Sequence, residues 1–115
     1  MRKKIKRGQK VEVRFHPRER VLVLEHTFTG PELKAALRRT QLESGNYVVR
    51  YTLDDLDELL GFVAAEANHS TDKKLRKELD ALYVRVRREM ESYDDGLWQQ
   101  ASTRTASARI QPSSR

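Results

Sequence analysis

The residues that come closest to a chemical site are Glu66 and His69, three positions apart in the run Ala65-Glu66-Ala67-Asn68-His69. On a helix this spacing places a carboxylate and an imidazole on one face, as in di-iron carboxylate bundles, which need a second such pair on another helix. No second Glu-x-x-His occurs in the chain, and metal sites use three or four ligands. The pattern favours a helix end, with the imidazole near the last carbonyls and the carboxylate in water. We therefore predict no metal site.

A run of four acids, Asp54, Asp55, Asp57 and Glu58, is the other group that resembles a cation site. Hard cations bind oxygen ligands that converge from a loop, usually with a glycine at the turn. These acids instead stand at the predicted start of a helix, where negative side chains complement the helix dipole. We interpret them as a solvated helix start.

The sequence also lacks the patterns of common catalytic and cofactor sites. It contains no cysteine and only three histidines, His16, His26 and His69, and the five glycines are scattered. No Gly-x-Ser-x-Gly elbow, phosphate-binding loop or dinucleotide fingerprint is present. We predict that the protein is not an enzyme and uses no cofactor. The alternative hypothesis of an enzyme or metal protein depends on the region around His69 alone.

The positive charge of the chain is concentrated at its ends. The formal net charge is +6, from 23 bases and 17 acids, and every acid lies between Glu12 and Asp95. Residues 1–10 contain six bases and residues 96–115 contain three, which leaves 14 bases against 17 acids in the middle. The folded part is therefore expected to be mildly acidic, so the overall charge describes the ends rather than the fold.

The basic start of the chain supports a first hypothesis, a non-enzymatic accessory domain that associates with nucleic acid. Lys and Arg in such a segment contact phosphates without reading sequence. Arg38 and Arg39 are expected to lie near the strand arginines, and their convergence would extend a phosphate-binding surface. The residues predicted to bind nucleic acid are Arg2, Lys3, Lys4, Lys6, Arg7, Lys10, Arg14 and Arg50.

Two segments have the composition of strands that pair with each other. Val11, Val13 and Phe15 alternate with charged residues, and residues 47–51 are rich in β-branched and aromatic side chains after the loop-forming run Ser44-Gly45-Asn46. Pro31 opens a short helix that is expected to end near Arg39. The sequence thus predicts an α+β fold with a small two- or three-stranded antiparallel sheet and a C-terminal antiparallel helix pair.

The first helix of that pair is predicted over residues 53–68, after Thr52, whose hydroxyl suits an N-cap. Ser70 or Thr71 is expected to begin the second helix, which runs to about Tyr93. Residues 17–27 stay ambiguous. Pro17 and Glu19 favour a helix start, but the apolar run Val21-Leu22-Val23-Leu24 is equally compatible with a strand reached through a turn.

The second helix of the pair supports the alternative hypothesis, a protein-interaction or regulatory module. Its apolar residues recur every three or four positions. Such a stripe belongs either to the chain's own core or to an interface with another chain, which allows a homodimer. The residues of this predicted interaction helix are Leu75, Leu79, Leu82, Val86 and Met90.

The sequence divides into three parts. We expect residues 1–10 to form a basic flexible arm, residues 11–95 a single α+β domain, and residues 96–115 a disordered tail, since the tail is dominated by Ser, Thr, Gln and Ala. No apolar run approaches the roughly 18 residues of a membrane span. We therefore expect a cytoplasmic protein without a membrane partner, whose partner is nucleic acid or another protein.

Overall fold

The fold combines helices with short strands, and a computed structural model describes residues 2–94 of it. The predicted disordered tail, residues 96–115, lies outside the described residues. The elements follow one another as β1 (Lys3–Lys4), β2 (Val11–Phe15), α1 (Pro17–His26), α2 (Pro31–Arg38), β3 (Leu42–Glu43), β4 (Asn46–Tyr51), α3 (Leu53–His69), α4 (Lys73–Glu91) and β5 (Tyr93–Asp94).

The main sheet confirms that the two predicted strands pair. β2 and β4 are antiparallel, with Val11 opposite Tyr51 and Phe15 opposite Tyr47. β3 adds a third strand on the other side of β4. It is joined to β4 by a two-residue turn, Ser44 and Gly45, whose φ angles of 51° and 86° are those of a type I′ hairpin. The predicted mixed α and β architecture with a small sheet is therefore present.

The ambiguous segment after β2 is a helix, α1. Pro17 stands at its first position, where a missing N–H costs nothing. The Glu19 carboxylate reaches back and accepts from the main-chain N–H of His16 at 2.9 Å. Leu22 and Val23 are buried, so the apolar run lies partly in the core in helical form.

The starts of α3 and α4 are both capped by side chains. Thr52 and Asp55 exchange two hydrogen bonds of 3.0 Å, each from a main-chain N–H to the other residue's side chain, which confirms the predicted cap of α3. The predicted start of α4 at Ser70 or Thr71 is wrong, because the helix begins at Lys73. Asp72 caps the helix, because its carboxylate accepts from two main-chain N–H groups of the first turn, at 3.0 and 3.1 Å. The Ser70 hydroxyl instead accepts from the N–H of Asp72 in the preceding turn.

One hydrophobic core lies between the inner face of the sheet and the four helices. α3 and α4 pack along each other, and α2 packs against β4. Among the side chains with less than 2% exposure are Phe15, Leu37, Tyr51, Leu56 and Leu82, which come from the sheet and from three helices. The elements that surround the sheet are thus fixed by shared burial.

The segment predicted as a flexible arm makes main-chain contacts with the end of α4. β1 pairs in parallel with β5, Lys3 opposite Tyr93. The N–H of Lys3 donates to the carbonyl of Ser92 at 2.7 Å, and the N–H of Ile5 donates to that of Asp94 at 2.9 Å. The Ile5 side chain packs against the core. These contacts tie residues 3–5 to the domain.

Candidate functional site

A groove of about 400 Å³ lies where β4 extends beyond its short partner β3. β3 pairs only with Asn46 and Tyr47, so the rest of β4 borders this space and the chain segment that follows α2. We call it the β4 groove. Its polar and charged lining includes Lys10, Arg39, Gln41, Glu43 and Arg50.

The alternation of β4 explains why Arg50 faces outward. Val49 and Tyr51, on either side, are 3% and 1% exposed and belong to the core, so the side chain between them lies on the opposite face of the sheet. Its cross-strand neighbour on that face is Glu12. The described residues nevertheless contain no ion pair between the two side chains within 4 Å.

The wall formed by α2 is held to the sheet by a buried hydrogen bond. The Tyr51 hydroxyl, on the inner face of β4, donates to the main-chain carbonyl of Leu33 at 2.5 Å. Burial raises the pKa of this hydroxyl well above its ordinary value, and the charge of Asp55 acts in the same direction. Tyr51 is therefore a neutral donor at physiological pH.

The negative end of α2 is covered by polar groups from its surroundings. The Arg20 guanidinium donates to the carbonyls of Leu37 and Arg38 at 3.4 and 3.3 Å and lies 4.4 Å from the centroid of the Tyr47 ring. The Thr40 hydroxyl also donates to the Leu37 carbonyl, at 2.6 Å. The last carbonyls of a helix repel anions, and here they are already bonded to donors.

The three basic side chains of the β4 groove have no partner among residues 2–94. In the described part of the chain, the side chains of Lys10, Arg39 and Arg50 take part in none of the hydrogen bonds, ion pairs or cation–π contacts, which involve other bases such as Arg18 and Arg85. Glu43 is the one acid among the lining residues. The groove lining therefore carries a net positive charge.

A second groove, of about 220 Å³, adjoins the first along the N-terminal segment. Lys3, Ile5, Glu12 and Tyr93 line it, together with Lys10. A turn leads the chain back to the sheet here, since the Gln9 side chain accepts from the N–H of Lys6 at 2.9 Å and Gly8 has a φ of 79°. Lys10 lines both grooves, which makes the basic segment continuous with the charged side chains of the folded domain.

The structure brings some of the predicted nucleic-acid-binding residues together and leaves others apart. All eight predicted residues are exposed, and the groove joins Arg50 and Lys10 with Arg39. Arg14 lies on the same outer sheet face but outside the groove, and its main-chain carbonyl accepts from Arg85 at 2.6 Å. Arg38 is exposed and does not line the groove. Of the four arginines expected to converge, two do so.

Sequence reasoning missed two polar residues of the groove, one just before β3 and one in it. Gln41 and Glu43 line the groove, although neither belongs to a motif. The signal that could have located them is the dipeptide Ser44-Gly45, because a two-residue hairpin fixes which residues lie beside the longer strand. The groove exists because β3 ends after two residues while β4 continues.

The apolar residues of the predicted interaction helix lie in or against the chain's own core. Leu79, Leu82, Val86 and Met90 are buried in the chain's own core, and Leu75 packs against it partly buried. The apolar periodicity of α4 is therefore a core pattern.

The two groups of residues first considered for metal binding lie at opposite ends of α3. Glu66 and His69 lie in the last turn of α3, and Asp54 and Asp55 lie in its first turn. Within residues 2–94 there is no group of three or more His, Asp or Glu side chains arranged to hold a metal ion. Across the same residues, no helix has the length and apolar character needed to cross a membrane.

Comparison with known proteins gives no relative from which a function could be transferred. No family model, curated protein or solved structure shows significant similarity to the chain.

Proposed function

We propose that this chain is a small non-enzymatic accessory domain that binds the phosphate backbone of nucleic acid. Binding uses the basic surface, which we define as the side chains of the N-terminal segment together with three arginines of the folded domain. The single observation that supports the proposal is that Lys10 lines both grooves. The members of the basic surface are Arg2, Lys3, Lys4, Lys6, Arg7, Lys10, Arg14, Arg39 and Arg50.

The chemistry of this surface suits phosphate contacts more than base recognition. Lys and Arg side chains that release counterions from a polyanion give affinity that falls steeply with salt and depends little on sequence. The side chains of the basic surface are free of ion pairs among the described residues. Within residues 2–94, no ion pair has to be broken before they meet a phosphate.

The rest of the domain supports this surface. In our proposal α3 and α4 form an antiparallel pair that backs the sheet, and the inner face of β2 and β4 rests on their shared core. The contacts of β1 with β5 tie the N-terminal segment to the domain, and Lys10 links it to the β4 groove, so in our proposal the basic residues act as one surface. We place this function in the cytoplasm, with nucleic acid as the partner.

Fluorescence anisotropy with labelled single-stranded and double-stranded DNA and RNA tests the proposal. We expect binding at about 50 mM salt that weakens by at least tenfold at about 200 mM, as expected for several phosphate contacts. A variant with Lys3, Lys4, Lys6 and Arg7 all replaced by Gln should lose most of this affinity.

A matched control removes the same charge from another part of the molecule. Lys73, Lys74, Lys77 and Arg88 on α4 are exposed and their side chains make no ion pair with described residues. Their replacement by Gln should reduce affinity much less than the N-terminal variant does. Absence of binding at low salt, or equal losses in the two variants, would show that the basic surface is not a nucleic-acid interface.

A further inference from the structure

We propose that the β4 groove is a specific site for the phosphate group of one nucleotide unit, held by Lys10, Arg39 and Arg50. The inference rests on the proposed function in taking a polynucleotide as the source of the phosphate. It goes beyond that function because it assigns a defined pocket to one ligand group, where a basic surface alone would bind phosphates without fixed positions.

Three separate parts of the fold supply the cations of the site. Lys10 precedes β2, Arg39 follows α2, and Arg50 belongs to β4. Like charges that share a groove repel one another, and Glu43 in the lining and Glu12 opposite Arg50 offset two of the three. A phosphodiester of a polynucleotide carries one negative charge, a terminal phosphate carries one to about two, and both have several acceptor oxygens, so either offsets the remaining charge and accepts charge-assisted hydrogen bonds.

The main chain of β4 adds a hydrogen-bond donor to the groove, next to an acceptor. The type I′ hairpin makes Glu43 and Asn46 a hydrogen-bonded pair, and pairs alternate along an antiparallel strand. The N–H and C=O of Arg50 therefore point away from β2, toward the groove. The nearby carbonyls of Leu37 and Arg38, which would repel an anion, already accept from Arg20.

The size of the groove indicates more than a bare ion. Small-molecule pockets hold their ligands in about 300 to 1,000 Å³, and the β4 groove measures about 400 Å³. This space accommodates a phosphate together with part of the nucleoside that carries it. The Gln41 side chain and the carboxylate of Glu43 line the same space and supply polar groups beside the cations.

NMR titration of the full chain with three small ligands tests the site directly. We expect inorganic phosphate and a nucleoside 5′-monophosphate to shift the amide signals of Gln41, Glu43, Val48 and Arg50, with the monophosphate binding more tightly. The same nucleoside without phosphate should leave these signals unchanged. No shift with either phosphate at millimolar concentration would overturn the site, and so would equal shifts with the nucleoside.

Charge variants give the second part of the test. Arg39→Gln and Arg50→Gln should each weaken monophosphate binding by about tenfold, the loss of one hydrogen bond to a charged group. Arg88→Gln on α4 should leave it unchanged, and Glu43→Gln should strengthen it by removing a repulsive charge. The amide spectrum and the urea unfolding midpoint of each variant report whether it is folded. A loss with Arg88→Gln as large as with Arg50→Gln would overturn the site.

The same variants separate this inference from the proposed function. Oligonucleotide binding by the wild-type chain that is unchanged in Arg39→Gln and Arg50→Gln would overturn the groove site and leave the proposed function standing. Monophosphate shifts in the groove without any oligonucleotide binding at low salt would support the site and overturn the proposed function.

Discussion

The hydroxyl of Tyr51 in β4 donates a 2.5 Å hydrogen bond to the main-chain carbonyl of Leu33 in α2. Both residues are buried, at 1% and 7% exposure. The bond fixes the distance between the sheet and the helix that stand on two sides of the β4 groove. The shape of the candidate site therefore depends on a residue that does not line it.

Replacing Tyr51 with Phe should lower the free energy of unfolding by about 1 to 3 kcal/mol, because the buried Leu33 carbonyl loses its hydroxyl donor. Urea unfolding followed by circular dichroism measures the change. Tyr83→Phe is the control, since the Tyr83 hydroxyl interacts with Arg87 at an exposed site and its loss should cost less than about 0.5 kcal/mol. Equal costs for the two variants would mean that the buried bond adds no stability.

The burial of Tyr51 also predicts a loss of stability in alkali. The folded state raises the pKa of this hydroxyl above its value in the unfolded chain, about 10. Its contribution is therefore complete below pH 10 and is lost as the pH rises toward the folded-state pKa, with a slope of at most about 1.4 kcal/mol per pH unit. Urea unfolding between pH 8 and roughly pH 11 measures this slope. Tyr51→Phe should have a shallower one, and an unchanged slope would contradict the assignment.

The sequence predicts the elements of this fold in which the residue types form a clear pattern. β2 alternates between core and solvent, β4 is rich in β-branched and aromatic residues, and α4 repeats its apolar residues at helical spacing, so these elements could be predicted. The run Val21-Leu22-Val23-Leu24 has no period because all four positions are apolar, and the choice of a helix there depends on Pro17 and Glu19. Strands of two residues, such as Lys3–Lys4, are too short to show any pattern.

The candidate site was less predictable than the fold, for a geometric reason. The bases of the N-terminal segment are adjacent in sequence, and their charge is visible there. Arg39 and Arg50 line one groove because β3 pairs with only the first two residues of β4. The rest of β4 therefore borders the segment that follows α2. The role of the apolar residues of α4 depends on whether this chain or another chain covers them. The packing of α4 against the rest of the chain shows which it is.

The assignment of the α4 stripe to the core predicts a difference between neighbouring positions. Leu82→Ala should lower the free energy of unfolding by about 2 to 5 kcal/mol, because it removes a side chain with 1% exposure and leaves a cavity. Val84→Ala, two residues away at 52% exposure, should cost less than about 0.5 kcal/mol. Urea unfolding measures both, and a larger cost at Val84 would contradict the packing of α4.

The loop between α1 and α2 predicts coupled side chains. Thr27 donates to the carbonyl of Val23 at 2.7 Å, and its hydroxyl lies 2.6 Å from that of Thr29. Thr27→Val and Thr29→Val should each lower the free energy of unfolding by about 1 to 3 kcal/mol. In the double variant the loss should be smaller than the sum of the two single losses by about 0.5 kcal/mol or more, because the two residues share a hydrogen bond.

This loop also holds Phe28 at 85% exposure between two buried threonines. Simple additivity of the two threonine substitutions would contradict the hydrogen bond that they share.

The most direct test of nucleic-acid binding by the basic surface is an NMR titration of the isotopically labelled chain with a short single-stranded oligonucleotide at low salt. The largest amide shifts should fall in residues 3–10, 39–43 and 48–50, and they should disappear as salt is raised. Shifts confined to the loop around Phe28 and the acidic start of α3, or no shifts at low salt, would contradict the proposed function.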